Sequence, residues 1–176
     1  HATKRGDYFS FAFVDNMPKF DTSEPDVMEY LTGIAKHWVC EWKVDGIRFD
    51  VGNEISHAFL KHLRLELKKC NPKLFLLGEI WHDAFPWLLG DEYDSTMNYP
   101  FLACVNNFWA DKTQSGTDFM HGINQCYSMY YEQVNRVLFN LLDSHDTDRL
   151  MERCHGNADM FLAQLTCLLY TSPSPR

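Results

Sequence analysis

Three short apolar runs, each closing on a carboxylate and separated by amphipathic stretches, constrain this chain more than any other feature. They are Val44–Asp50 (VDGIRFD), Leu74–Glu79 (LFLLGE) and Leu138–Asp146 (LFNLLDSHD). Runs of this length bounded by turn residues read as buried strands. Between the first two, over residues 55 to 69, Phe59, Leu60, Leu63 and Leu67 recur at helical spacing, with Lys61, Arg64, Glu66 and Lys68 on the other side. Asn71-Pro72 stops that helix. An earlier helix opens at Pro25 and is expected to present Val27, Tyr30, Leu31, Ile34, Ala35, Trp38 and Trp42 on one apolar face. A shorter strand is expected within Asp94–Phe101, a helix over residues 116 to 131, and a last helix from near Asn157. Strands alternating with helices define an α/β protein with a parallel sheet of βαβ units.

The spacing narrows the architecture. A closed barrel of eight strand–helix units averages about 31 residues per unit. Asp50 to Glu79 is 29 positions, one unit, and Glu79 to Asp146 is 67, two units with room for one strand between. The expected fold is therefore a partial (β/α)8 TIM barrel, about half of one. In such a barrel the C-terminal strand ends form the active face, and catalytic groups come from several strands.

Composition excludes some functions. With 45% hydrophobic residues the chain can build a core, and its net charge of −8 without a basic run argues against a nucleic-acid partner. No apolar stretch reaches membrane-spanning length. Cys40, Cys70, Cys104, Cys126, Cys154 and Cys167 show no CxxC pairing, so free thiols in a cytoplasmic setting are expected. The chain opens on His1 without a signal-peptide pattern and reads as an internal segment.

A carboxylate just past a buried strand is costly to desolvate, so it tends to have a task. Strand alternation puts Gly46, Arg48 and Asp50 on one face, Ile47 and Phe49 on the other. Arg48 could hold Asp50 ionised as a nucleophile, or the two could be a structural ion pair. Glu79 is either a solvated strand end or a general acid whose pKa is raised by an aromatic setting that includes Trp81. His145 and Asp146 could bind sugar hydroxyls. Trp81, Trp87, Tyr99, Phe101 and Trp109 could stack on sugar faces or pack in the core. His82-Asp83 and His145-Asp146 lack specific metal-ligand spacing, so no metal is assigned.

The segments Val44–Glu54, Gly78–His82 and Leu141–Arg149 resemble three signature regions of the α-amylase family, glycoside hydrolase family 13. Met17-Pro18-Lys19-Phe20, Asn53-Glu54, Trp81-His82 and Met97–Phe101 are similar to its neopullulanase, cyclomaltodextrinase and maltogenic amylase branch. The resemblance implies strands 4 to 7 of the barrel and a retaining α-glucosidic hydrolase, with transglycosylation allowed, acting on maltooligosaccharides, cyclodextrins or pullulan. It implies Asp50 as nucleophile, Glu79 as acid/base and Asp146 as transition-state stabiliser. Arg48 would position Asp50 and His145 would bind the sugar at the cleaved bond. Asn53, Glu54 and Trp81 would serve the leaving-group side. No cofactor is required, and a structural calcium is possible but not indicated by these residues. The partner is an α-glucan oligosaccharide, without nucleic acid or membrane, and the full-length protein could be a homodimer. The alternatives are a non-catalytic member that binds sugar or protein, or an isomerising or branching relative.

The resemblance divides the chain into residues 1–20, the end of a domain inserted after strand 3; residues 21–166, the partial barrel; and residues 167–176. That last stretch, CLLYTSPSPR, resembles a translated sequencing adapter and is expected to be non-native. The family's first signature region would lie upstream of His1, and Asp148 stands where the branch often has Pro. Half a barrel leaves two strand edges unpaired. The isolated 176-residue chain is thus expected to be inactive and poorly soluble. Glu79-dependent cleavage of a maltooligosaccharide by this chain alone would refute that.

Overall fold

Ser56 begins the helix that separates the first two strands, its side chain accepting a hydrogen bond from the Phe59 N–H. The computed structural model describes residues 6–172. The terminal stretches of the first and last expected segments, residues 1–5 and 173–176, lie outside the described residues. The chain forms two units. One runs to Glu79 and includes Leu89–Asp94; the other comprises Ile80–Leu88 and the chain from Ser95 onward.

In the first unit, α1 (Pro25–Cys40) leads to β1 (Gly46–Phe49), α2 (His57–Cys70) and β2 (Phe75–Gly78). The strands pair in parallel, Gly46 opposite Phe75 and Phe49 opposite Gly78. The expected inward set of α2 is correct: Phe59, Leu60, Leu63 and Leu67 are all buried. Leu67 of α2, Leu74 before β2 and Leu76 within it are each at most 2% exposed. Burial of such side chains, at about 1.5–3 kcal/mol each, is the main stabilising term of this unit.

The face expected for α1 is partly wrong. Thr32, Ala35 and Val39 form its buried stripe, whereas Tyr30 and Trp42 are 71% and 67% exposed. Tyr30 falls on the opposite side of the helix from that stripe, and Trp42 lies beyond its end at Cys40. Trp38 and Trp42 stack on each other instead. Lys36 reaches across to Glu66 of α2 at 3.1 Å. Earlier in the unit, Lys19 places its ammonium 2.6 Å from Glu54 Oε2 and donates to the Glu54 carbonyl, and the Ala12 N–H donates to Oε1.

In the second unit, β3 (Ser95–Asn98) runs straight into α3 (Tyr99–Trp109). The strand expected within Asp94–Phe101 thus ends at Asn98, because Pro100 sits in the first turn of a helix that Asn98 caps by accepting from the Phe101 N–H. Next come α4 (Gly116–Ser128), α5 (Glu132–Asn135), β4 (Phe139–Asn140), α6 (Leu150–Arg153) and α7 (Ala158–Thr171). A reciprocal Ser115–Asp118 capping box starts α4. β4 pairs in parallel with β3, and Asn98 donates to Asn140 at 2.7 Å.

The strand expected to reach Asp146 is only two residues long. Leu141 and Leu142 are buried outside it, and Leu142 enters a core with Phe101, Val105, Cys126, Leu150 and Cys154. Their apolar run reflects core packing without strand pairing. α7 passes unbroken through Thr166, and Cys167 and Leu168 pack against that same core. All six cysteines are free thiols.

Candidate active site

At the end of β1 the pleat puts Arg48 and Asp50 on the more open face, alternating with the half-buried Ile47 and Phe49. One guanidinium then serves two carboxylates: Arg48 Nη1 lies 2.8 Å from Asp50 Oδ1, and Arg48 Nη2 lies 3.0 Å from Glu79 Oε1. The expected Arg48–Asp50 pair is present, and Glu79 completes it. The Asp50 side chain is 73% exposed and that of Glu79 only 7%. The first is therefore open to a reactant, while the second is anchored. Besides the guanidinium, the Val51 N–H donates to Oε2 at 2.9 Å.

The chain between these carboxylates is unusual. Val51 adopts a left-handed conformation (φ 46°, ψ 47°), which is rare for a β-branched residue. A one-turn 3-10 helix, Gly52–Glu54, follows it. The turn is stitched to the end of β2 by Glu79 N–H to the Phe49 carbonyl, Val51 N–H to Oε2 and Gly52 N–H to the Glu79 carbonyl. Asn53 lies within this 3-10 helix, and Glu54 at its end is taken up by Lys19 and Ala12. Sequence reasoning missed the Lys19–Glu54 link, since neither residue type at that separation signals its partner.

In the second unit Asp146 stands in a Ser144–Thr147 turn, six positions past β4. The Asp146 N–H donates to Ser144 Oγ at 3.2 Å, the Ser144 N–H to Thr147 Oγ1 at 2.8 Å, and the buried Tyr99 hydroxyl to Ser144 Oγ at 3.3 Å. His145 Nε2 lies 3.1 Å from Asp146 Oδ2. Asp143 braces the turn by accepting from the Leu150 N–H. Trp81 stacks on Tyr99, centroids 4.0 Å apart and planes at 10°, and keeps half its surface open. Tyr99 and Phe101 are buried, and Trp109 packs on the core, so those three are structural. Among the described residues no group of three or more His, Cys, Asp or Glu could hold a metal ion.

Adjacent parallel strand ends thus bring an Asp and a Glu onto one arginine, and paired carboxylates at such strand ends are what the class of glycoside hydrolases uses. Comparison with known proteins gives the same class. Residues 1–173 match the family described as "Alpha amylase, catalytic domain". The chain is 43% identical over 168 residues to the intracellular maltogenic amylase of Bacillus subtilis, covering 96% of this chain and 29% of that protein. Over 170 residues it is 44% identical to neopullulanase 2 of Thermoactinomyces vulgaris, covering 96% of this chain and 29% of the relative. A solved cyclomaltodextrinase superposes with a TM-score of 0.86 at 40% identity, over 90% of this chain and 27% of that one. The chain belongs to the α-amylase family, in the branch that contains these enzymes, and carries part of its TIM barrel. It spans less than a third of the length of these relatives.

Proposed function

We propose that the protein carrying this chain is a retaining α-glucosidic hydrolase that acts on maltooligosaccharides, cyclodextrins or pullulan. The Arg48 bridge between Asp50 and Glu79 carries this reading. A retaining mechanism needs its carboxyl groups about 5–5.5 Å apart, whereas an inverting one needs about 6.5–9.5 Å to admit a water. One guanidinium gripping both favours the closer arrangement.

In the proposed reaction Asp50 attacks the anomeric carbon while Glu79 gives a proton to the leaving oxygen. Esterification removes the charge of Asp50, leaving Arg48 to Glu79. Glu79 then takes a proton from water, or from an acceptor sugar, as the ester is cleaved. Asp146 is assigned to transition-state stabilisation, with His145 beside it binding the sugar. The open face of Trp81 is assigned to stacking on a glucose ring. Asn53 is kept as a leaving-group-side contact. For Glu54, whose oxygens meet Lys19 and Ala12, we assign the support of the turn. Side chains alone carry these steps, so no cofactor is called for. A cytoplasmic site is supported by the relative named intracellular, and a homodimer of the full-length protein is part of the same reading.

Product analysis of the full-length protein on cyclodextrin, pullulan and starch in parallel tests the substrate class. Cyclodextrin is expected to be opened at least as fast as starch is cleaved. A strong preference for starch overturns the assignment.

A further inference from the structure

Two glycines flank the acid pair, Gly52 beside Asp50 and Gly78 beside Glu79, and both face the same side chain. A Cβ on Gly78 would lie 2.6 Å from the ring of Tyr93, and one on Gly52 would lie 2.9 Å from the Tyr93 hydroxyl and 3.2 Å from the Glu79 nitrogen. Close approach of this kind admits only glycine. Tyr93 is 2% exposed, its ring lies 5.4 Å from that of Phe49, and its hydroxyl donates to the Gly52 carbonyl at 3.0 Å. Burial, with the nearby Glu92 charge, pushes the Tyr93 pKa far up, so the hydroxyl remains a donor. The carbonyl it holds is that of Gly52, the residue that follows left-handed Val51, whose N–H binds Glu79 Oε2. A strained turn persists only where its surroundings over-determine it. Here the surroundings are Tyr93 on one side and the Glu79 backbone on the other.

We propose that Tyr93 is a positioning residue for the acid pair: through Gly52 and Val51 it fixes where the Asp50 and Glu79 carboxylates stand. Lys61, Arg64 and His57 hold its segment in place, through Asp91, the Glu92 carbonyl and the Glu92 carboxylate respectively. The inference rests on the hydrolase reading above. It extends that reading to a buried residue that can touch no substrate, and whose loss should fall on turnover and not on affinity.

The test is steady-state kinetics of the full-length protein on a maltooligosaccharide, with Asp50→Asn measured alongside. Tyr93→Phe keeps the ring and loses the hydroxyl; kcat should fall about threefold to tenfold with KM within about twofold. Tyr93→Leu loses both, and a displacement on the order of 1 Å should cost about 100-fold in kcat. Gly52→Ala presses on the same clamp from the other side and should reproduce the kcat loss at unchanged KM. It also decides the matter, together with Tyr93→Phe, if Tyr93→Leu does not fold. Folded Tyr93 variants and Gly52→Ala with kcat within about twofold of the parent, or losses confined to KM, overturn the inference. If Asp50→Asn itself keeps parental activity, the hydrolase reading fails instead, so the two failures are separable.

Discussion

Asp50→Asn in the full-length protein is expected to lower kcat on a maltooligosaccharide by about 10⁴-fold or more, the scale of losing a nucleophile. The amide keeps the shape of the side chain and a contact for Arg48, so the fold should survive. A glycosyl fluoride separates this residue from Glu79. Fluoride departs without a proton, so Glu79→Ala should recover the first step on an α-maltosyl fluoride and accumulate the glycosyl ester. Asp50→Asn should recover nothing. Mass spectrometry of the peptide containing Asp50 then shows the added sugar in Glu79→Ala and not in Asp50→Asn. A sugar attached elsewhere, or more than about 1% of parental activity in Asp50→Asn, removes Asp50 from the role.

The residues that announced this site did so through strand geometry. Asp50 and Glu79 each follow a strand by one position, and strand alternation alone places Arg48 on the Asp50 face. That part was legible because a strand's period is fixed by its backbone. The α2 face was legible for the same kind of reason, with four leucine or phenylalanine side chains at helical spacing against charges. Elsewhere, apolar character misled. Leu141 and Leu142 read as strand, yet both are buried outside it and Leu142 serves a helical core, and hydrophobicity does not distinguish these two uses. Tyr30 and Trp42 read as buried, yet they are exposed, because large aromatics satisfy a pattern without having to be covered. Tyr93 was not legible. Gly52 and Gly78 signal that something approaches closely, but nothing local names the side chain that does, 15 residues beyond Gly78.

Asp94→Asn is expected to cost about 2–3 kcal/mol of stability, less than the about 3–5 kcal/mol of a fully buried broken pair because the site is partly exposed. Asp94 accepts from Lys68 Nζ at 2.9 Å, from the Leu76 N–H at 2.9 Å and from Arg64 at 2.8 Å, joining α2 to β2. Burial alone would push its carboxyl up, but the Lys68, Leu76 and Arg64 contacts outweigh burial and hold it below the usual carboxylate range. An asparagine leaves two cations facing a neutral group and sets an N–H donor against one of its former partners. The sign of the pH dependence follows from the depressed value. Stability contributed by Asp94 is fully present above the unfolded pKa of about 3.9 and drains away as pH falls from there through the lower folded value. Thermal unfolding of the full-length protein and Asp94→Asn should therefore differ by about 2 °C at pH 7, and by nearly as much at pH 5. The two curves should converge as the pH falls from about 3.9 through the lower folded value. Equal midpoints at pH 7, or a gap that stays constant into acid, would show that the Asp94 charge does not hold β2 to its helix.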